Sequence, residues 1–283
     1  MAKQRKNPTR TFLSRLIVAA ACVTLPWAVG LGDAQAQPTM VIRTTDHAFT
    51  VPATVRAGFV TVQIINDGKD LHHAQIVRLN PGVTTAQALG ALRQGLGAFL
   101  PLVVGVGGPG LVAPGGRASV SLTLQPGDHL LLCFVESSDG TPHVASGMVK
   151  PLRVTGAVAA RPAPSVAGEL VLHDFRFAMP QTLNGRETYR VVNQGVQLHE
   201  AIFLRLAPGK TVDDVKAFFS QHPASGPPPA MPVGGVQGLS RGGVNYHHPN
   251  LPAGEYVVIC FIPDPGSGKP HFELGMISAV TVR

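Results

Sequence analysis

His72, Cys133, His143 and Met148 lie in the first half of the chain, and His199, Cys260, His271 and Met276 repeat the same types in the second. In both halves the last two ligand types form a His-x4-Met unit that leads into a strand-like run. Two imidazoles, a thiolate and a thioether make a soft, mixed nitrogen and sulfur donor set, which favours copper and suits a one-electron redox centre. Taken alone, a Cys on an apolar strand is a small core residue and a Met is core filler. Their joint recurrence raises the metal reading above those ordinary ones. Cys133 and Cys260 sit at equivalent positions of consecutive units, so they are not expected to approach each other within disulfide distance.

The recurrence extends well beyond the eight residues. Asp46-x-x-Phe49-x-x-Pro52 aligns with Asp174-x-x-Phe177-x-x-Pro180 at an offset of 128. After a one-residue gap the offset is 127, pairing Asn66 with Asn193, Gly68 with Gly195, His72 with His199, Pro81-Gly82 with Pro208-Gly209 and Cys133-Phe134 with Cys260-Phe261. One extra residue in the next loop restores 128 for His143 with His271 and Met148 with Met276. This pattern predicts a tandem duplication, with domains over 38–155 and 168–283 and a linker over 156–167 rich in Ala and Pro.

The elements that must position these residues are short. Thr61–Ile64 and Tyr189–Val192 run into Asn-x-Gly turns, followed by Ala74–Leu79 and Ala201–Leu206, then Ser119–Leu124, then His129–Val135 and Tyr256–Ile262. Short alternating runs with turns between them predict an all-β antiparallel sandwich in each half. Charged residues are only 14% of the chain, and it holds 32 Gly and 25 Pro, which argues against long salt-bridged helices. One helical insertion per half is expected: Thr85–Leu100, with Leu89, Leu92, Leu96 and Phe99 on one face, and a counterpart capped by Thr211 with Asp214 three residues on.

With these residues in place, the sequence resembles the cupredoxin (blue copper, plastocyanin-like) family in two tandem copies. The resemblance rests on Phe49 and Phe177 in the opening strands, the Asn66 and Asn193 turns, and the endings Leu132-Cys133-Phe134 with His143-x4-Met148 and Ile259-Cys260-Phe261 with His271-x4-Met276. It implies two Greek-key β-sandwiches, with His72, Cys133, His143 and Met148 around one copper and His199, Cys260, His271 and Met276 around another. One departure stands out. Family members separate the Cys and the second His by a few residues, whereas nine lie between Cys133 and His143 and ten between Cys260 and His271. Either the longer loop turns back and the thiolate reaches the metal, or the site is reduced to two His and a Met, a set suited to copper carriage.

The remaining features narrow the function. Lys3, Arg5, Lys6, Arg10 and Arg15, the apolar run from Leu16 to Leu31 and Ala34-Gln35-Ala36 predict a signal peptide over 1–36 and a periplasmic or secreted protein. The formal charge of +7 falls to about +3 without it, with 18 basic and 15 acidic residues left. That balance, with 6% aromatics, predicts no nucleic-acid partner, and no other run is long enough to anchor in a membrane. A redox partner protein is expected, and the oligomeric state is left open. The resemblance also reaches the multicopper oxidases and nitrite reductases, but their His-x-His and His-Cys-His elements are missing, so no catalytic residue is assigned. A metal-free scaffold is a further alternative. His73 follows His72 on an extended stretch, so only one of the two should face the site, and the repeat selects His72. His247-His248 has no counterpart in the first half and reads as a polar loop or strand edge with an optional surface metal site.

Overall fold

A computed structural model describes residues 1–2, 38–159, 161–221 and 226–283. The expected signal peptide, with Cys22, lies almost wholly outside the described residues. The first domain contains β1 (Thr39–Thr45), β2 (Ala48–Thr50), β3 (Thr54–Asn66), β4 (Gln75–Leu79), α1 (Thr85–Gln94), α2 (Leu96–Phe99), β5 (Val103–Gly107), β6 (Pro109–Val112), β7 (Arg117–Leu124), β8 (Gly127–Leu132) and β9 (Val149–Ala159). The second contains β10 (Gly168–His173), β11 (Arg176–Ala178), β12 (Thr182–Leu183), β13 (Tyr189–Asn193), β14 (His199–Leu206), α3 (Val212–Phe219), β15 (Ala230–Leu239), β16 (Val244–His247), β17 (Gly254–Ile259) and β18 (Ile277–Val282).

Strict alternation makes these strands. β1 buries every second residue, Met40, Ile42 and Thr44, and β3 does the same from Gly58 onward through Val60, Val62 and Ile64. In the first domain one sheet sets β1 parallel and β7 antiparallel to β3, and the other runs β5, β4, β8, β9. β9 pairs with β8 through Val149–Val154 and then with the start of β3, so it closes one edge of the sandwich. The second domain repeats this with β10, β13 and β16 in one sheet and β15, β14, β17 and β18 in the other. Neighbours in space are thus often distant in sequence, as in a Greek key.

The two sandwiches join edge to edge. β16 pairs with β7 through Tyr246 and Ser121 and through His247 and Val120, while β15 pairs with β6 and touches β5 at Leu239 and Val106. These pairings cover strand edges that would otherwise be open to intermolecular pairing. Asn245 fastens the seam: its Oδ1 accepts from Gly108 N at 3.1 Å and its Nδ2 donates to Val106 O at 2.9 Å. Gly107 is required there, because a side chain would place its first carbon 2.2 Å from Asn245 Oδ1.

The helical insertion of the first domain is broken where the sequence predicted one helix. Gly95, at φ 116, ends α1 and starts α2. Leu89, Leu92 and Leu96 pack with Phe99, Leu130 and Leu132 on the outer face of the sheet. α3 begins where expected: Thr211 accepts from Asp214 N, and the Asp214 side chain accepts from Thr211 N. β5, β6 and β15 went unread because their Gly and Pro content masks strand alternation. β9 runs on to Ala159, inside the stretch read as linker. Of the pair read as a polar loop or strand edge, His247 is the last residue of β16 and His248 follows it. His247 is buried in the core of the second domain, stacked on Phe203 with ring centres 4.9 Å apart, in the place Val120 takes in the first. His248 bonds Ser121 Oγ at 2.7 Å and Thr188 Oγ1 at 2.9 Å, so both rings are engaged in the fold and offer no surface metal site.

Candidate metal centre

The Asn-x-Gly turns carry the first His of each set into place. Asn66 is fully buried; its Nδ2 donates to Asp70 O at 2.7 Å and Val112 O at 3.2 Å, and its Oδ1 accepts from Gly68 N at 2.9 Å. Asn193 repeats the three bonds on Gln197 O, Leu239 O and Gly195 N. The glycine is dictated by close approach. A first side-chain carbon at Gly68 would lie 2.6 Å from Asp46 Oδ1 and 2.9 Å from His72 Nε2, and at Gly195 2.5 Å from Asp174 Oδ1 and 2.7 Å from His199 Nε2.

Cys133 and Cys260 sit one residue past the ends of β8 and β17, free and fully buried. The long loops that follow fold back on themselves. After Cys133, Glu136 bridges Pro142, Ser137 N donates to Thr141 O at 2.9 Å, and His143 N donates to Val135 O at 2.7 Å. After Cys260, Pro263 bridges Pro270, Asp264 N donates to Lys269 O at 2.8 Å, and His271 N donates to Ile262 O at 2.9 Å. Each loop is a miniature hairpin, so the extra residues project outward and the His returns to the Cys. A tight turn then brings Met148 N to His143 O at 2.8 Å and Met276 N to His271 O at 2.9 Å, with both Met side chains fully buried in the core that holds the Cys residues.

The donor atoms converge. Cys133 Sγ lies 3.8 Å from His72 Nδ1 and 3.6 Å from His143 Nδ1. In the second set Cys260 Sγ is 3.4 Å from His271 Nδ1, which is 3.0 Å from His199 Nδ1. Metal bonds of about 2.0 Å to nitrogen and 2.3 Å to sulfur, spread in a plane, place such donors about 3.7 Å apart. Both triads therefore fit one ion through Cys Sγ and two Nδ1 atoms. Burial keeps the imidazoles in the neutral, coordinating form: desolvation, followed by the neighbouring imidazole, lowers His72 and His271 to about 4, and desolvation also lowers His143 and His199. Burial raises the Cys133 thiol to about 11 and moves Cys260 well above its usual range, so metal binding must displace a proton from each thiol.

The partners behind the imidazoles differ between the domains. His199 Nε2 donates to Asp174 Oδ1 at 2.8 Å, and His271 Nε2 donates to Gln197 Oε1 at 2.9 Å, while Gln197 Nε2 donates on to Asp264 Oδ1 at 2.8 Å. In the first domain Asp46 Oδ1 stands 3.9 Å from His72 Nε2 and Asp70 Oδ2 stands 3.7 Å from His143 Nε2, and neither ring nitrogen has a hydrogen-bond partner. Asp46 and Asp174 were visible as repeat markers. Their place behind the first His could not be read from spacing.

His73 turns away from the triad as the alternation predicts. Its Nε2 accepts from Phe134 N at 3.0 Å, and Glu200 Oε1 does the same for Phe261 N at 2.9 Å. The position after the first His therefore holds the backbone beside the Cys in both domains, with an imidazole in one and a carboxyl in the other. Burial raises Glu200 to about 7 and lowers His73 to about 3.

Two tandem β-sandwiches, each with a buried His, Cys, His and Met set at one end, define a cupredoxin-like protein with two type 1 copper-like ligand sets. Solved structures similar to it include a dithionite-reduced auracyanin from Roseiflexus castenholzii, at 22% identity and TM-score 0.28 over 43% of this chain and 99% of that one. Auracyanin A, a "blue" copper protein from Chloroflexus aurantiacus, matches at 19% and 0.28 over 41% of this chain and 98% of its own. A copper nitrite reductase from Nitrosomonas europaea matches at 14% and 0.24, over 88% of this chain and 94% of that one. No protein-family model and no curated protein matches the chain.

Proposed function

We propose that this is an exported copper protein that transfers single electrons to or from a redox partner protein through its two type 1-like sites. The observation that carries the reading is the return of both long loops, which leaves Cys133 Sγ 3.6 Å from His143 Nδ1 and Cys260 Sγ 3.4 Å from His271 Nδ1. A site reduced to two His and a Met has no use for that approach. Bound copper would supply the one-electron couple. The chain supplies donors buried on strand ends and pinned loops, so they need move little between oxidation states. The basic amino-terminal run, apolar stretch and Ala34-Gln35-Ala36 support export to a periplasmic or extracellular location, where copper and a partner would be met.

The test is to add copper(II) to the chain purified without its first 36 residues and record visible absorption with metal content. An intense thiolate-to-copper band is expected. Tight copper(I) binding with no such band would convert the reading to copper carriage, and no copper binding would leave a metal-free scaffold.

A further inference from the structure

We propose that the first domain carries a second metal site on the outer side of His143, formed by His47, Asp70 and Nε2 of His143, for a divalent cation of the zinc or copper(II) class. Donor atoms of these three residues lie within 4.8 Å of one another, and neither His47 nor Asp70 is needed to complete the inner ligand set. His143 Nε2 is fully buried without a hydrogen-bond partner, 3.7 Å from Asp70 Oδ2. Burial of an unpaired ring nitrogen is costly, and coordination to a cation would give Nε2 a partner. His47 is one of two non-glycine residues with positive φ among those described, at 63°, and that conformation sets its ring edge-on to His143 with centres 5.0 Å apart.

The second domain supplies the internal control. Its turn has the same positive φ, but at Phe175, whose ring covers His271 at 5.3 Å and cannot ligate. Asp70 is replaced by Gln197, which already satisfies His271 Nε2 at 2.9 Å. Both ligating side chains are thus present where the ring nitrogen is unpaired, and both are absent where it is paired. Two imidazoles and one carboxylate suit zinc or copper(II), and the exposed His47 and Asp70 leave a further position open to water. On binding, the cation takes the place of the Nε2 proton, which leaves to solvent, and no electron moves. His143 then bridges an inner and an outer ion, and the added positive charge favours the reduced form of the inner site. The outer cation would tune the first domain alone.

The chain is loaded with copper(I), which is colourless, and titrated with zinc(II); zinc affinity is read by calorimetry, and both metals are counted after gel filtration. One zinc per chain is expected, with copper content unchanged. Replacing His47→Phe and Asp70→Gln, residues the second domain already carries at these places, should weaken zinc binding by about 100-fold or more. Phe175→His with Gln197→Asp should create a second zinc site. No retained zinc, zinc binding that survives His47→Phe, or zinc that displaces copper one for one would each overturn the outer site. Copper uptake before zinc is added tests the inner sites separately: a chain that takes up no copper yet binds His47-dependent zinc defeats the electron-transfer reading and upholds this one.

Discussion

The two copper-like sites share every ligand type and differ in what stands behind the ligands. In the second domain both imidazoles are held from the back, by Asp174 at 2.8 Å and Gln197 at 2.9 Å, and Gln197 is itself held by Asp264. In the first domain the corresponding carboxylates stop at 3.9 and 3.7 Å, and the ring nitrogens are unpaired. A partner behind a ligating His fixes the ring and its tautomer and raises its basicity, commonly worth 10–100-fold in affinity. Duplication therefore kept the donors while the support diverged. The second site is built to hold its ion tightly, and the first to respond to what approaches His143 from outside.

The most drastic way to separate the sites is to remove one thiolate at a time. Cys260→Ser and Cys133→Ser should each abolish the charge-transfer band of their own domain and leave the other, read as roughly half the visible intensity per chain. If one variant loses the whole band, only one site binds copper in the type 1 manner and the comparison fails.

A smaller effect comes from the support. Asp174→Asn with Gln197→Leu should lower copper affinity of the second site by about 10–100-fold, measured by chelator competition, whereas Asp46→Asn should change the first site only a few-fold. In the unaltered chain, copper added below one equivalent should fill the second site first, seen as insensitivity of the early band to Cys133→Ser. Gly195→Ala should mimic part of the Asp174 loss, because the new carbon meets Asp174 Oδ1 and His199 Nε2. Gly68→Ala has no hydrogen bond between Asp46 and His72 to break, and its effect on copper should be weaker.

An effect on stability, leaving copper affinity unchanged, concerns the core. Burial lowers His247 from 6.5 to about 3, and neither of its ring nitrogens has a hydrogen-bond partner. The native state thus keeps it neutral where the unfolded chain protonates it. Between pH 6.5 and about 3 the unfolded state binds more protons, so stability falls as pH falls, by up to about 1.4 kcal/mol per pH unit from this residue. His247→Val, the residue type of Val120 in the first domain, should flatten that dependence in acid denaturation curves of the chain. An unchanged acid slope would mean that His247 is not buried neutral.

Much of the site was legible because a duplication prints each ligand twice. His72 with His199, Cys133 with Cys260, His143 with His271 and Met148 with Met276 stand in register while the loops between them vary. The helical insertion of the second domain was legible from Thr211 and Asp214, since capping is local chemistry. What escaped was nonlocal. β5 and β15 are strands because they pair with β4 and β14, which are distant in sequence, and β6 because it pairs with β15 across the seam, and their Gly-rich sequences carry no alternation that shows it. His247 reads as polar, yet its place on β16 between β13 and β7 turns it into the core.

Residue identity and spacing by themselves determined the repeat, the mixed nitrogen and sulfur donors and the β-rich architecture, because each follows from side-chain chemistry or from a local period. Only the tertiary structure decided whether the excursions of nine residues after Cys133 and ten after Cys260 bring the His back, since that depends on backbone bonds such as His143 N to Val135 O and His271 N to Ile262 O. It also decided which imidazoles have a partner. A carboxylate at 2.8 Å and one at 3.9 Å are the same residue type at the same place in the repeat, and hydrogen bonding is lost over that single ångström.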